Sequence, residues 1–329
     1  MVVDSCRDSA RREAAPLGYL RRLGVDVRNR VKLLVITHWH NDHILGASEV
    51  FDAAESATIV CSGALQNREF AELIAASAHE RLGELEMPEF ARILEILKAR
   101  KSAARTVSVG PTWAIEGRLL YSRGDSIPAT VQSLSPSDSA MTLAHREFAR
   151  YLPKYKEAKL TPVAQSPNNV AVVLWVQVAD TRILLGSDLE ESKNPNLGWQ
   201  AIIGSKVRAP VLAHLFKIPH HGSDTAHSND VWNQMLVPSP VAMLTPFIRG
   251  HKPLPSNTDI ERIKTKTSEV YSTSRPGGWK PPRRDRAVER LVEGRLRAMT
   301  GGVGHVRIRW SVGATHATDI GLFSGAGAL

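Results

Sequence analysis

A short apolar run, Val31-Lys-Leu-Leu-Val-Ile-Thr37, leads without a break into His38-Trp-His40-Asn-Asp42-His43, and this junction constrains the chain more than any other stretch. The run has the β-branched, apolar character of a buried strand. Residues two apart on extended backbone point the same way, so His38 and His40 can grip one cation. Where the chain turns into a helical pattern, Asp42 and His43 can reach a second one. A fold containing this segment must bury a strand and keep its C-terminal end open to cations.

Two later strands end in the same manner. Leu184-Leu-Gly-Ser-Asp188 is an apolar strand closing on a carboxylate, suited to bridging two cations or to capping a following helix. Leu215-Phe-Lys-Ile-Pro219 delivers His220-His221-Gly222-Ser223. The paired histidines suit one metal ligand and one acid or phosphate-binding group, and Gly222 lets backbone approach a substrate closely. After Val241–Thr245 comes Arg249-Gly-His251-Lys-Pro253, which makes His251 a candidate for substrate contact or further ligation. His79 and His145 sit in helical, mixed-polarity patterns and read as surface residues, and His214, His227, His305 and His316 have no spacing partner that singles them out.

The wider pattern is α/β, with strands interleaved among helices. The opening Met1–Cys6 reads as a strand that needs a neighbour. Residues 16–23 read as a helix with Pro16 in its first turn and Gly24 as its stop. Helical patterns follow around 43–52, 64–80 and 88–101, and short extended runs fill 105–150. Strands are expected over 170–178 and 182–186, joined through Ala179–Thr181, and over 211–218 and 241–245. From 272 the chain turns basic, with Arg275, Lys280, Arg283, Arg284, Arg286, Arg290, Arg295 and Arg297, before a last strand over 304–312. One domain over 1–271 with a C-terminal extension over 272–329 is the economical division.

Composition sets the outer limits. Of 329 residues, 43% are hydrophobic and 23% charged, enough to bury a core. The two cysteines, Cys6 and Cys61, exclude a disulfide framework and suit a reducing interior. No apolar run approaches the ~18 residues of a membrane span, and the first residues carry no signal-peptide pattern, so a cytoplasmic setting is expected. The net charge of +9 favours polyanionic partners such as nucleic acid.

Taken together, Thr37–His43, Gly186–Asp188 and Pro219–Ser223 resemble the metallo-β-lactamase fold hydrolases, whose hallmark is His-x-His-x-Asp-His. Within that superfamily, His220-His221-Gly222-Ser223 and Gly250-His251-x-Pro253 are similar to the branch that holds the hydrolase domain of the DNA-uptake protein ComEC and the phosphorylcholine esterases. The likeness runs from residue 1 to about residue 270. It implies a four-layer αβ/βα sandwich with metals at one sheet edge. By that likeness His38 and His40 hold one ion, Asp42, His43 and His221 hold the other, and Asp188 bridges them. His220 would contact the scissile phosphate, and Asp42, His220 and His251 stand as the candidate catalytic residues.

The implied cofactors are two divalent ions, Zn²⁺ for this nitrogen and oxygen donor set with Mn²⁺ as the alternative. A metal-bridging hydroxide would be the nucleophile, and no Gly-x-Ser-x-Gly motif offers a serine instead. The leading expectation is a phosphodiesterase or nuclease, with Lys264, Lys266, Arg283, Arg284 and Arg286 steering phosphates. A small phosphodiester as substrate and a catalytically weak nucleic-acid-binding accessory protein are the alternatives. Two departures accompany the likeness. The usual histidine some twenty residues before the bridging aspartate is replaced by Ser166-Pro-Asn168-Asn169, so Asn168 is the candidate to complete the first metal. The fold also normally opens with further strands, so the chain reads as N-terminally shortened.

Overall fold

The computed structural model describes residues 1–8, 13–66, 87–104, 110–158, 167–248, 252–275, 304–314 and 316–329. They group into two compact units, Met1–Val178 with Gly186–Pro210, and Ala179–Leu185 with Val211–Leu329.

The first unit opens with β1 (Val2–Val3), the two-strand ribbon of β2 (Arg7–Asp8) and β3 (Glu13–Ala14), and the helices α1 (Ala15–Arg22) and α2 (Val27–Arg30). Next come β4 (Leu33–Ile36), α3 (Asn41–Ile44), α4 (Ala47–Ala53), β5 (Thr58–Ser62), α5 (Met87–Ala104), β6 (Thr112–Ala114), β7 (Leu119–Arg123) and β8 (Ala129–Ser133). The helix α6 (Asp138–Ala158), the strand β9 (Leu174–Val178) and the helix α7 (Gly198–Gly204) complete it.

The strand expected at the N-terminus has its neighbour: β1 pairs in parallel with β4, Val2 opposite Leu34 and Val3 opposite Val35. The sheet continues in parallel through β5 to β6. All four residues of β4 are buried, as a parallel strand covered on both faces requires. Against it α5 packs Phe90, Ile93 and Leu97, spaced at three and four residues, into a core with Leu34, Ile36, Phe51 and Ile59. Each such side chain contributes about 1.5–3 kcal/mol on burial. Gly46, at φ +83°, breaks the helical stretch expected over 43–52 into α3 and α4. The start of α4 is capped from α5, whose buried Glu89 accepts the N–H groups of Gly46 and Ser48 at 3.1 Å each. Strands β7, β8 and β9 form antiparallel pairs.

Two sequence expectations change here. Residues 138–158 are helix, not extended chain: Ser137 Oγ accepts the Ala140 N–H, and Ala140, Ala144 and Phe148 bury one face at four-residue spacing. The Pro and Ser breaks upstream hide that periodicity. The strand expected from 170 begins at Leu174, because Pro167–Val170 form a 3₁₀ turn. Of the helix expected over 64–80, residues 63–65 form a 3₁₀ turn, and residues 67–80 lie outside the described residues.

The second unit holds β10 (Thr181–Leu185), β11 (Ala213–Lys217), α8 (Asn229–Gln234), β12 (Leu236–Leu244), α9 (Asn257–Lys264) and β13 (Val270–Ser272). After them come β14 (His305–Arg309), β15 (Asp319–Phe323) and β16 (Gly327–Ala328). Strands β10, β11, β12 and β13 run parallel in that order. β12 carries Pro238, Ser239 at φ +52° and Pro240, and its register on β11 shifts there, the bulge where a strand tolerates proline. Phe216 of β11 meets Trp232 of α8 edge to face, with centroids 5.2 Å apart. The final strand read from sequence pairs with a second one, β15, in antiparallel register. β16 then adds antiparallel to β13, Tyr271 opposite Ala328, so the chain end is part of the second unit's sheet. Among the described residues no helix is long and apolar enough to cross a membrane.

Candidate metal centre

In the first unit the functional side chains follow the C-terminal ends of strands, where the backbone leaves the hydrogen-bonded ladder and side chains can converge. β1 ends at Asp4, held in a left-handed conformation at φ +58°. Its carboxylate accepts the Thr37 N–H and the Thr37 hydroxyl, both at 2.8 Å, and His43 Nδ1 at 2.7 Å. Since the Thr37 hydroxyl gives its proton to Asp4, its oxygen accepts from His38 Nδ1, 3.1 Å away. One carboxylate thereby sets the tautomers of two imidazoles, and each ring in its neutral form carries its lone pair on Nε2.

Those Nε2 atoms face a common region. His38 Nε2 lies 3.1 Å from His40 Nδ1 and 3.9 Å from Asp188 Oδ2. His43 Nε2 lies 3.4 Å from Asp188 Oδ1 and 3.6 Å from Asp42 Oδ2. The donor atoms of His38, His40 and Asp188 all lie within 4.8 Å of one another. Two imidazole nitrogens on one tetrahedral Zn²⁺ stand about 3.3 Å apart, so this set fits an ion. Asp188 turns one oxygen toward His38 and the other toward His43, the disposition of a bridging carboxylate. It is 3% exposed. No helix starts after it, α7 beginning only at Gly198, so the capping alternative falls away.

Local structure fixes Asp188 from both sides. Ser187 before it is left-handed at φ +48°. Beyond it the Leu189 carbonyl accepts the indole N–H of fully buried Trp199 at 2.9 Å. The electrostatics separate the two neighbouring imidazoles. Burial, then the charge of His43, holds His38 well below the usual histidine value. For His43 burial acts the same way, but the carboxylates of Asp4 and Asp188 outweigh it and hold that ring well above its usual value. The pocket is built for positive charge. Asn168, the candidate fourth ligand, is buried on the 3₁₀ turn and gives its amide N–H to Glu190 Oε1 at 3.2 Å.

The second unit holds His220 and His221 on the turn after β11. His220, His221 and Gly222 are all left-handed, at φ +45°, +56° and +85°. For the two histidines this conformation costs about 1–2 kcal/mol each, so the surroundings must impose it. A Cβ on Gly222 would press on Ile263, Leu244 and Pro255 at 3.2–3.3 Å. His221 Nδ1 is 2.8 Å from the Thr245 carbonyl, an acceptor only, so Nδ1 carries the proton and Nε2 the lone pair. His220 Nδ1 meets Thr225 Oγ1 at 3.1 Å. His251 lies outside the described residues.

Sequence reasoning found the residues whose spacing is unusual and missed those that orient them: Asp4, Thr37 as a relay, and Thr245. Asp4 carried a signal, because it ends a strand as His38 and Asp188 do. Thr245 acts through its carbonyl, which no side-chain motif reveals.

Residues 1–115 match the profile of the metallo-beta-lactamase superfamily. The matched span includes His38, His40, Asp42 and His43, and stops before Asp188, His220 and His221. No curated protein matches the chain. The superfamily consists mostly of hydrolytic enzymes and typically binds metal ions, and the mixed α/β architecture with several sheets agrees with its sandwich fold. The likeness to the metallo-beta-lactamase superfamily therefore rests on residues 1–115, which carry the first four of the candidate ligands.

Proposed function

We propose that the protein is a two-ion phosphodiesterase whose substrate is nucleic acid. The observation that carries the two-ion reading is Asp188, with its two oxygens turned toward His38 and His43. His38 and His40 hold the first ion. The resemblance assigns Asp42, His43 and His221 to the second, Asn168 to completing the first, and His220 and His251 to substrate contact. Zn²⁺ suits the imidazole-rich set and Mn²⁺ is the alternative. When bound, such ions polarise a phosphoryl oxygen and lower the pKa of a water to around 7.

The chain's own residues prepare that chemistry. Asp4 fixes His43 directly and His38 through Thr37, so each ring in its neutral form has its lone pair on Nε2. Burial keeps His38 neutral and so able to ligate. A phosphodiester as substrate is supported by the +9 charge and by the likeness of His220-His221-Gly222-Ser223 to the ComEC-like branch. Cationic residues near a cleft raise the local concentration of a polyanion; Lys264 closes α9 on the surface, while Arg283, Arg284 and Arg286 lie outside the described residues. Both cysteines are free thiols, in keeping with a cytoplasmic setting.

The test is cleavage of single- and double-stranded DNA and RNA, and of bis(p-nitrophenyl) phosphate, by protein loaded with Zn²⁺ or Mn²⁺. Cleavage of a nucleic acid that Asp188→Ala abolishes supports the proposal. Turnover of the small diester with no competition by DNA assigns a small substrate instead. Absence of cleavage with either ion, or activity unchanged in Asp188→Ala, refutes it.

A further inference from the structure

The strained turn that carries His220 and His221 is tied to α9. Arg262 Nη2 donates to the Gly222 carbonyl at 2.8 Å, and Arg262 Nη1 donates to Asp259 Oδ1 at 2.6 Å. Asp259 is itself 5% exposed and locked, its Oδ2 accepting the Ser256 N–H at 2.9 Å and the Ser256 hydroxyl at 2.6 Å. Ser256 Oγ returns a bond to the Asp259 N–H at 3.2 Å, closing the capping box at the start of α9. The guanidinium is therefore presented to the turn from a rigid mount. Its target is the third of three consecutive left-handed residues, two of which are not glycine.

The turn has local restraints as well. Gly222 N–H to the Pro219 carbonyl and Ser223 N–H to the His220 carbonyl, both 2.9 Å, close it locally. His221 is also held by its Nδ1 bond to Thr245, a residue just past β12, and by its ring lying 5.2 Å from that of Phe247. A planar fork that bonds a carboxylate with one nitrogen and a backbone carbonyl with the other is a geometry lysine does not reproduce.

We propose that Arg262 is a positioning residue, clamping the Gly222 carbonyl to α9 so that His221 stays left-handed with Nδ1 on Thr245 and Nε2 presented for ligation. The proposal rests on the reading of His221 as a ligand for its functional meaning, but the clamp can be tested without it. The readout is the long-range ¹H–¹⁵N spectrum of the imidazoles in metal-free protein, with His221 assigned through His221→Gln, followed by Zn²⁺ titration calorimetry. In the wild type His221 shows the pattern of a fixed Nδ1–H tautomer. Arg262→Met, with its far-UV circular dichroism unchanged, should shift that pattern toward mixed tautomers and weaken one Zn²⁺ affinity by about 10- to 100-fold, the usual effect of losing an outer-sphere partner. Arg262→Lys, which keeps the charge beside Asp259, should show the same tautomer change, and it decides the matter alone if the methionine variant does not fold. A wild-type His221 pattern in these variants overturns the clamp. If instead His221→Gln binds Zn²⁺ as tightly as the wild type, the ligand reading fails, and the tautomer spectrum still decides the role of Arg262.

Discussion

Replacing Asp4 by asparagine exchanges one oxygen for an NH₂ group and sets the site against itself. The carboxylate receives three donors, Thr37 N–H and Oγ1–H at 2.8 Å and His43 Nδ1–H at 2.7 Å. An amide accepts at one atom only, so in either orientation its NH₂ faces at least one of these donors. A hydrogen bond to a charged group contributes about 1.5–3 kcal/mol, and a buried donor left unpaired costs about 1–3 kcal/mol. The expected loss for the metal-free protein is therefore about 3 kcal/mol, measured by urea unfolding. Turning the NH₂ toward His43 reverses its tautomer and takes the Nε2 lone pair away, so Zn²⁺ affinity by calorimetry should fall about 10- to 100-fold. The pH dependence has a sign as well. His43 has a raised pKa in the folded metal-free state, so the stability it contributes is fully present below its unfolded value near 6.5 and is lost as pH rises through the raised value. The gap between wild type and Asp4→Asn should be wider near pH 6 than in alkaline buffer. An Asp4→Asn protein that unfolds at the wild-type urea concentration and binds Zn²⁺ within twofold of wild type would refute the relay.

Gly198→Ala should destabilise by at least about 2 kcal/mol in thermal unfolding, because Gly198 sits at φ +57° and a Cβ would lie 2.3 Å from the Glu190 carbonyl oxygen. A variant melting with the wild type would show that the backbone after Asp188 yields more than its packing suggests. Cys61 is buried in β5, with its thiol pushed up to about 12 by burial. It should resist a thiol reagent at pH 8 in the native protein and react once the chain is unfolded, and fast native labelling read by peptide mass spectrometry would contradict the packing. For Asp259 burial pushes the carboxyl up, but the Ser256 bonds and Arg262 outweigh it and hold it below its usual value. Its contribution is present above the unfolded carboxylate value and is lost as pH falls through the lower folded one. Asp259→Asn should therefore cost about 1 kcal/mol at neutral pH in urea unfolding, with the difference from wild type closing in strong acid.

Sequence alone was enough to single out the junctions proposed to carry ligands, because the chemistry there is carried by residue type and by periodicity. His38 and His40 lie two apart after an apolar run, Asp188 follows another, and His220 and His221 follow a third. Alternation on extended backbone makes such a pattern legible without coordinates. The same holds for α1, whose Pro16 and Gly24 mark its ends, and for the strands centred on 34, 183 and 215. The helix over 138–158 was legible only as a helical pattern around His145, because its apolar side chains lie four apart behind Pro136 and only the core they enter shows which face counts.

What only the tertiary structure decided is orientation. That Asp4 reaches across from β1 to Thr37 and His43 depends on the parallel register Val3 opposite Val35, a pairing between segments more than thirty residues apart. That Asp188 divides its oxygens between two imidazoles depends on a left-handed Ser187 and on Trp199 gripping the Leu189 carbonyl. That Arg262 holds the Gly222 carbonyl depends on where α9 packs. Residue type fixes which atoms can ligate, whereas long-range backbone pairing and packing fix where their lone pairs point, and local sequence carries no record of that direction.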